Sequence, residues 1–117
     1  MVQMPETIRL DKNKSILHLE YAGQTYGLSA EYLRVHSPSA QVRGHGVGQE
    51  VLQTGKRLVT IVGLEMSGNY ALKIVYSDGH DSGLYDWAYL HELATTQEAK
   101  WQAYEARLAQ AGASRDV

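Results

Sequence analysis

Cysteine is missing from the chain altogether. Its absence excludes disulfides, thiolate metal sites, thiolate-held iron–sulfur clusters and cysteine nucleophiles together. A long apolar run is missing too, since no stretch approaches the roughly 18 residues that a membrane helix needs. Residues 1–10 carry no basic segment leading into an apolar one, so no secretory signal is predicted. These absences together point to a cytoplasmic protein of bacterial type, with no membrane partner. Charge of one sign is not in excess either. Eleven Lys and Arg against thirteen Asp and Glu leave a net charge of -2, which argues against nucleic acid as a partner, because such binders carry a basic surplus. Solenoid-length repeats and low-complexity tracts are also lacking.

What remains is an ordinary globular composition. The 117 residues are 44% hydrophobic and 21% charged, enough to bury one core without staples and too apolar for disorder. A single soluble domain is predicted over residues 1–117.

The patterning sets out the elements. Residues 7–11 form a short β-like run, and residues 16–21 alternate, with Leu17, Leu19 and Tyr21 on one face against His18 and Glu20. A turn at Ala22, Gly23 and Gln24 leads to a return strand over residues 25–28. Ser29 is a predicted N-cap for a short helix that stops near His36, because Pro38 disfavours helical backbone at Ser37. Residues 37–57 show little periodicity beyond a short extended piece at 51–53, and a connection that long tends to be functional. The apolar run 58–64 predicts a strand buried on both faces, and residues 70–76 alternate again. Asp78-Gly79 is a tight-turn signal before a third strand over residues 82–85. Asp86 should cap a helix over 87–93, and Thr95 with Glu98 forms a capping-box pattern for a last helix over 96–111. In that helix Trp101, Tyr104 and Leu108 make an apolar stripe expected to pack on the sheet, and residues 112–117 should fray. The fold class is therefore α+β: largely antiparallel sheets from two β meanders, a short helix between them, and two C-terminal helices.

Few motifs carry chemistry. Gly44, Gly46 and Gly48 lack the dinucleotide spacing, and Gly55-Lys56 lacks both the first glycine and the hydroxyl residue of a phosphate loop. No nucleophile elbow surrounds any serine. Between Tyr32 and Leu64 the bases Arg34, Arg43, Lys56 and Arg57 face the single acid Glu50, with His36 and His45 among them. That bias reads as a solvated loop, or as a site for a small anion or an acidic partner. His80 with Asp78 and a loop histidine, His36 or His45, could supply an imidazole–carboxylate site for zinc or ferrous iron. His80 and Asp81 are adjacent and should point apart.

Two segments are distinctive. One runs Tyr32-Leu33-Arg34-Val35-His36-Ser37-Pro38-Ser39-Ala40-Gln41-Val42-Arg43-Gly44-His45-Gly46, and the other Asp78-Gly79-His80-Asp81-Ser82-Gly83-Leu84-Tyr85-Asp86-Trp87. With the strands between them they resemble the family named for the N-terminal domain of gamma-butyrobetaine hydroxylase, over residues 7–93. The resemblance implies an accessory domain. In the hydroxylase it precedes an oxygenase domain that holds ferrous iron and 2-oxoglutarate, and this sequence has no counterpart of that domain. The family's zinc is held by three cysteines and a histidine. The matching positions here are Ser37, Ser39, Val42 and His80, so only the histidine survives. Similar modules are fused to Mrp-type ATPases with iron–sulfur clusters, which implies a role near iron metabolism.

The leading expectation is a non-catalytic accessory or interaction module with a protein partner. Its working surface is placed on Arg34, Ser37, Ser39, Arg43, His45, His80 and Tyr85. The alternative is an iron or zinc protein using His80, His36, His45 and Asp78.

Overall fold

The computed structural model describes residues 4–44 and 48–116. Two separate three-stranded antiparallel sheets are built in chain order, each from one meander. The first holds β1 (Thr7–Leu10), β2 (Ile16–Tyr21) and β3 (Gln24–Ser29). Its register sets Leu17 opposite Leu28 and Leu19 opposite Tyr26, so the alternation in β2 turns Leu17, Leu19 and Tyr21 inward. Helix α1 (Ala30–Val35) starts where the Ser29 hydroxyl accepts the Tyr32 amide at 3.0 Å. A four-residue helix, α2 (Ala40–Arg43), interrupts the long connection, where the sequence showed no period. No strand forms at 51–53.

The second sheet holds β4 (Ile61–Ser67), β5 (Ala71–Tyr76) and β6 (Leu84–Asp86). The strand expected at 58–64 is displaced, and it is not buried on both faces. Leu58 stays 79% exposed and Val62 52% exposed. The reason is position in the sheet: β4 is an edge, with a register irregularity between Ile61 and Gly63, so only one face meets the core.

Asp86 caps α3 (Trp87–Thr95), its carboxylate accepting the Tyr89 amide at 2.8 Å. The expected capping box at Thr95 and Glu98 does not form. Thr95 and Thr96 instead donate back to the His91 and Glu92 carbonyls, at 2.9 and 2.6 Å, because a threonine hydroxyl late in a helix can bond back to the carbonyl four residues earlier. Helix α4 (Gln97–Ala111) follows directly.

One core draws Leu17, Leu19 and Leu28 from the first sheet and Ile61, Leu72 and Ile74 from the second, closed by Leu33, Leu90 and Leu93. Buried phenols join the halves, with Tyr32 donating to the Leu93 carbonyl at 2.7 Å. The α4 stripe packs on α1 rather than on a sheet: Tyr104 and Leu108 gather with Val35, and Trp101 meets Tyr32 edge-on. The tail does not fray. Gly112, at φ 62, closes α4, and the Ala113 amide returns to the Leu108 carbonyl at 2.9 Å. Arg115 then holds the Glu31 carboxylate at 2.7 and 2.8 Å and lies over the Trp101 ring.

Candidate functional site

The two distinctive segments meet at His80. Strand β5 ends at Tyr76, and the Asp78-Gly79 turn folds the chain back so that the Tyr76 amide donates to the His80 carbonyl at 2.9 Å. This carries the His80 ring inside, 7% exposed and against Tyr76. From the other side the chain leaves α1 at Val35 and turns at Pro38, which points Ser37 and Ser39 at the same place. His80 Nε2 lies 2.8 Å from Ser37 Oγ and 3.4 Å from Ser39 Oγ. Ser39 occupies the N-cap position of α2 without a side-chain cap bond, because its hydroxyl turns toward His80. The return strand passes so close over Ser37 that a Cβ at Gly83 would collide with Ser37 Oγ and come within 3.1 Å of Pro38 Cδ.

Below this knot, Tyr85 donates to the Leu33 carbonyl at 2.7 Å and accepts a hydrogen bond from the Tyr76 hydroxyl at 2.6 Å. Burial raises both phenols' pKa, so both stay neutral. Beside it, Asp78 accepts from Lys56 at 2.7 Å, from Arg34 Nε at 3.0 Å and from the His80 amide at 3.2 Å. Burial pushes this carboxyl upward, but those donors outweigh it and hold the pKa at about 2. Arg34, 6% exposed, also donates to Gln53 from Nη1 at 2.9 Å.

Of the expected working surface, Arg34, Ser37, Ser39, His80 and Tyr85 do come together, but as an interior cluster. Each is buried, because the connection folds back over the sheet end and its polar groups satisfy one another. Arg43 alone among the described members is exposed, stacked 4.7 Å over the Tyr89 ring. His45 lies outside the described residues. His36 has different company from His80: its Nδ1 donates to the Tyr32 carbonyl at 2.8 Å, between the Tyr32 and Tyr104 rings. Among the described residues no three His, Asp or Glu side chains are gathered to hold a metal ion.

Ser37 also borders a groove of about 450 Å³ whose walls include Val35, His36, Val42, Arg43, Tyr89 and Arg107. Sequence reasoning missed Tyr89 and Arg107. Tyr89 reads as one more aromatic on α3, and nothing in the spacing of α4 separates Arg107 from a solvated charge. Tyr89 fixes the wall by donating to the His36 carbonyl at 2.6 Å.

Both histidines are held below the ordinary imidazole range. For His36 the causes are burial and the charges of Lys100 and Arg107, and for His80 burial and Arg34. A depressed histidine stabilises the fold fully above its unfolded pKa, and that stability is lost as the pH falls through the folded value. Asp78 contributes nothing in this window, since its own contribution disappears only between 3.8 and about 2. The urea midpoint is therefore expected to be lower at about pH 5 than at about pH 7.5, on either side of an unfolded histidine pKa near 6.5. The combined His36→Gln and His80→Gln variant should narrow that gap. Equal midpoints in the parent protein would refute the buried neutral imidazoles.

Two antiparallel meanders joined by buried tyrosines, with a buried serine–histidine knot between them, define a small α+β domain. The chain belongs to the gamma-butyrobetaine hydroxylase-like N-terminal family, whose sequence pattern matches residues 8–91. One protein solved by NMR in solution is 52% identical, with a TM-score of 0.87 over 99% of this chain and 92% of that one. A second NMR structure is 44% identical, at 0.77 over 98% and 90%. A crystal structure from Acidithiobacillus ferrooxidans, of a protein of unknown function in the DUF971 family, is 33% identical. Its TM-score is 0.63 over 78% of this chain and 92% of that one. Among curated proteins none matches.

The family's zinc can be tested against the donors present. Ser37, Ser39 and His80 do converge where the resemblance places ligands, and Val42 is buried nearby. The donor set does not fit. Two neutral hydroxyls and an isopropyl group cannot replace three thiolates, and the one imidazole nitrogen already shares a hydrogen with Ser37. The hydrogen-bonded knot fills the place of the metal.

Proposed function

We propose that the protein is a non-catalytic accessory module that binds a protein partner through α2 and the irregular connection after it. The observation that carries this reading is the described part of that connection, residues 48–60, which holds no helix or strand and is nonetheless pinned. The Val51 amide donates to Val42 at 2.8 Å, Tyr104 donates to the Gln53 carbonyl at 2.7 Å, and Lys56 reaches Asp78. Held by these anchors, the connection presents Leu58, 79% exposed, and Val51, 52% exposed, while α2 presents the exposed Arg43. Apolar tips on an anchored loop suit recognition rather than packing.

Catalysis is disfavoured by geometry. Among the described residues, Ser37 and Ser39 are the serines at hydrogen-bond distance from an imidazole, that of His80, but they are only 1% and 6% exposed. Asp78 bonds the His80 backbone amide rather than its ring, so no acid orients the base as a nucleophilic triad requires. The donor chemistry lends no support to a metal-dependent role either, and the link to iron metabolism rests on domain company alone.

A photo-crosslinking residue at position 58, compared with one at the exposed Arg9 in β1, tests the reading in cells. A discrete adduct of fixed mass is expected at 58 and not at 9. Adducts that are equal at both positions, or absent at 58, would sink it.

A further inference from the structure

We infer that the groove walled by His36, Arg43, Tyr89 and Arg107 is a binding site for a small organic anion, a carboxylate carried on an apolar body. At about 450 Å³ it falls within the roughly 300–1,000 Å³ range of small-molecule sites. Val35, Val42 and the Tyr89 ring supply apolar wall, which suits a hydrocarbon or aromatic body. The polar wall is cationic. Arg43 sits over the Tyr89 ring, its Cζ 4.7 Å from the centroid, and with five N–H groups it keeps donors to offer a carboxylate. Arg34, Arg57 and Arg115 each hold a carboxylate, whereas among the described residues neither Arg43 nor Arg107 has one within ion-pair distance. Lys100, close enough to His36 to be felt by its ring, is paired with Glu92 at 2.9 Å. Glu50 is the one acid on the groove wall, so two guanidiniums outweigh it.

The groove is also held in shape. The Tyr89 hydroxyl donates to the His36 carbonyl, and the His36 ring is fixed by its own bond to Tyr32. A preformed cationic wall lowers the ordering cost of binding. The charged and titratable groups that face or adjoin His36 are Lys100, Arg107, Arg43, Glu50 and the phenols of Tyr32, Tyr89 and Tyr104. A carboxylate seated among them would offset the positive field at the imidazole and raise its pKa. The inference goes beyond the module reading: the two share Val42 and Arg43 of α2, but one concerns a small anion in the groove and the other a protein on the exposed connection. The two can fail separately, because the test below needs no partner protein.

The experiment is an NMR titration of the full chain with three probes: phenylacetate, its neutral isostere phenylacetamide, and inorganic phosphate. With phenylacetate, saturable shifts are expected at the Val35 and Val42 methyls, the Tyr89 ring and the His36 ring, with the His36 titration midpoint moving upward. Phenylacetamide should bind at least about tenfold more weakly, and Arg43→Gln and Arg107→Gln should each weaken phenylacetate severalfold. Both arginines are exposed, and should either variant misfold, the acid-against-amide comparison still decides. Equal binding of acid and amide would overturn the inference, as would phosphate matching phenylacetate. So would an absence of saturable groove shifts up to about 20 mM probe.

Discussion

Replacing Arg115 with alanine is expected to lower the folding free energy by about 2 kcal/mol and the Tm by roughly 10 °C. The basis is Glu31, which is 6% exposed at the start of α1 and receives both of its side-chain donors from Arg115, at 2.7 and 2.8 Å. Without that fork a buried carboxylate stands alone, and Trp101 loses the guanidinium over its ring. Arg115 is itself 27% exposed, so solvent screens part of the pair, and the expected loss lies below the roughly 3–5 kcal/mol of a fully buried break. Two backbone bonds, from the Gly55 amide to Ser114 and from the Arg57 amide to Arg115, depend on the same docking. Adding Glu31→Gln to Arg115→Ala should recover about half the loss, because the stranded group is then neutral. Chemical denaturation of the two variants checks this. If Arg115→Ala falls within about 0.5 kcal/mol of the parent, the tail is not structural.

Gly83→Ala is the second large effect, at about 2–3 kcal/mol. The added methyl meets Ser37 Oγ and the rigid Pro38 ring, and neither can yield freely. Ser37 is tied to His80 at 2.8 Å and accepts the Ser39 amide at 3.3 Å, so displacing it unmakes the knot. A double-mutant cycle gives the decisive reading. In a Ser37→Ala background the colliding oxygen is gone, and the cost of Gly83→Ala should fall to about 1 kcal/mol, left by the Pro38 contact. Additive losses would show that Gly83 acts through something other than Ser37.

The elements that local chemistry dictates were legible in the sequence. Ser29 and Asp86 cap their helices, Asp78-Gly79 turns the chain, and the alternation of 16–21 assigns the buried face residue by residue. Where a pattern admits two outcomes, the tertiary setting decided. The run at 58–64 has the same apolar content whether its strand is central or at an edge; the strand begins only at Ile61, which leaves Leu58 in a turn, and the edge position leaves Val62 outside. Thr95 and Thr96 could cap forward or bond backward, and the bonds back to α3 won. The site divides in the same way. The pairing of Arg34 with Asp78 and the meeting of Ser37, Ser39 and His80 follow from residues that the two motifs contain. Their burial does not, since small polar residues in a long connection look solvent-facing until the sheet end closes over them. Arg107 joins the groove by a helix crossing that no local pattern records.

Each ladder of backbone hydrogen bonds is complete within one meander. The halves are joined by the shared core and by side-chain bonds, among them Tyr32 to Leu93, Tyr85 to Leu33, Arg34 to Asp78, Ser37 to His80 and Tyr89 to His36. With each ladder closed on itself, hydrogen exchange is expected to show whether this chain breathes in two parts, one sheet opening while the amides of the other stay locked. The groove lies at the seam, between residues that follow α1 and residues of α3 and α4. Whatever occupies it would slow that breathing in both halves at once.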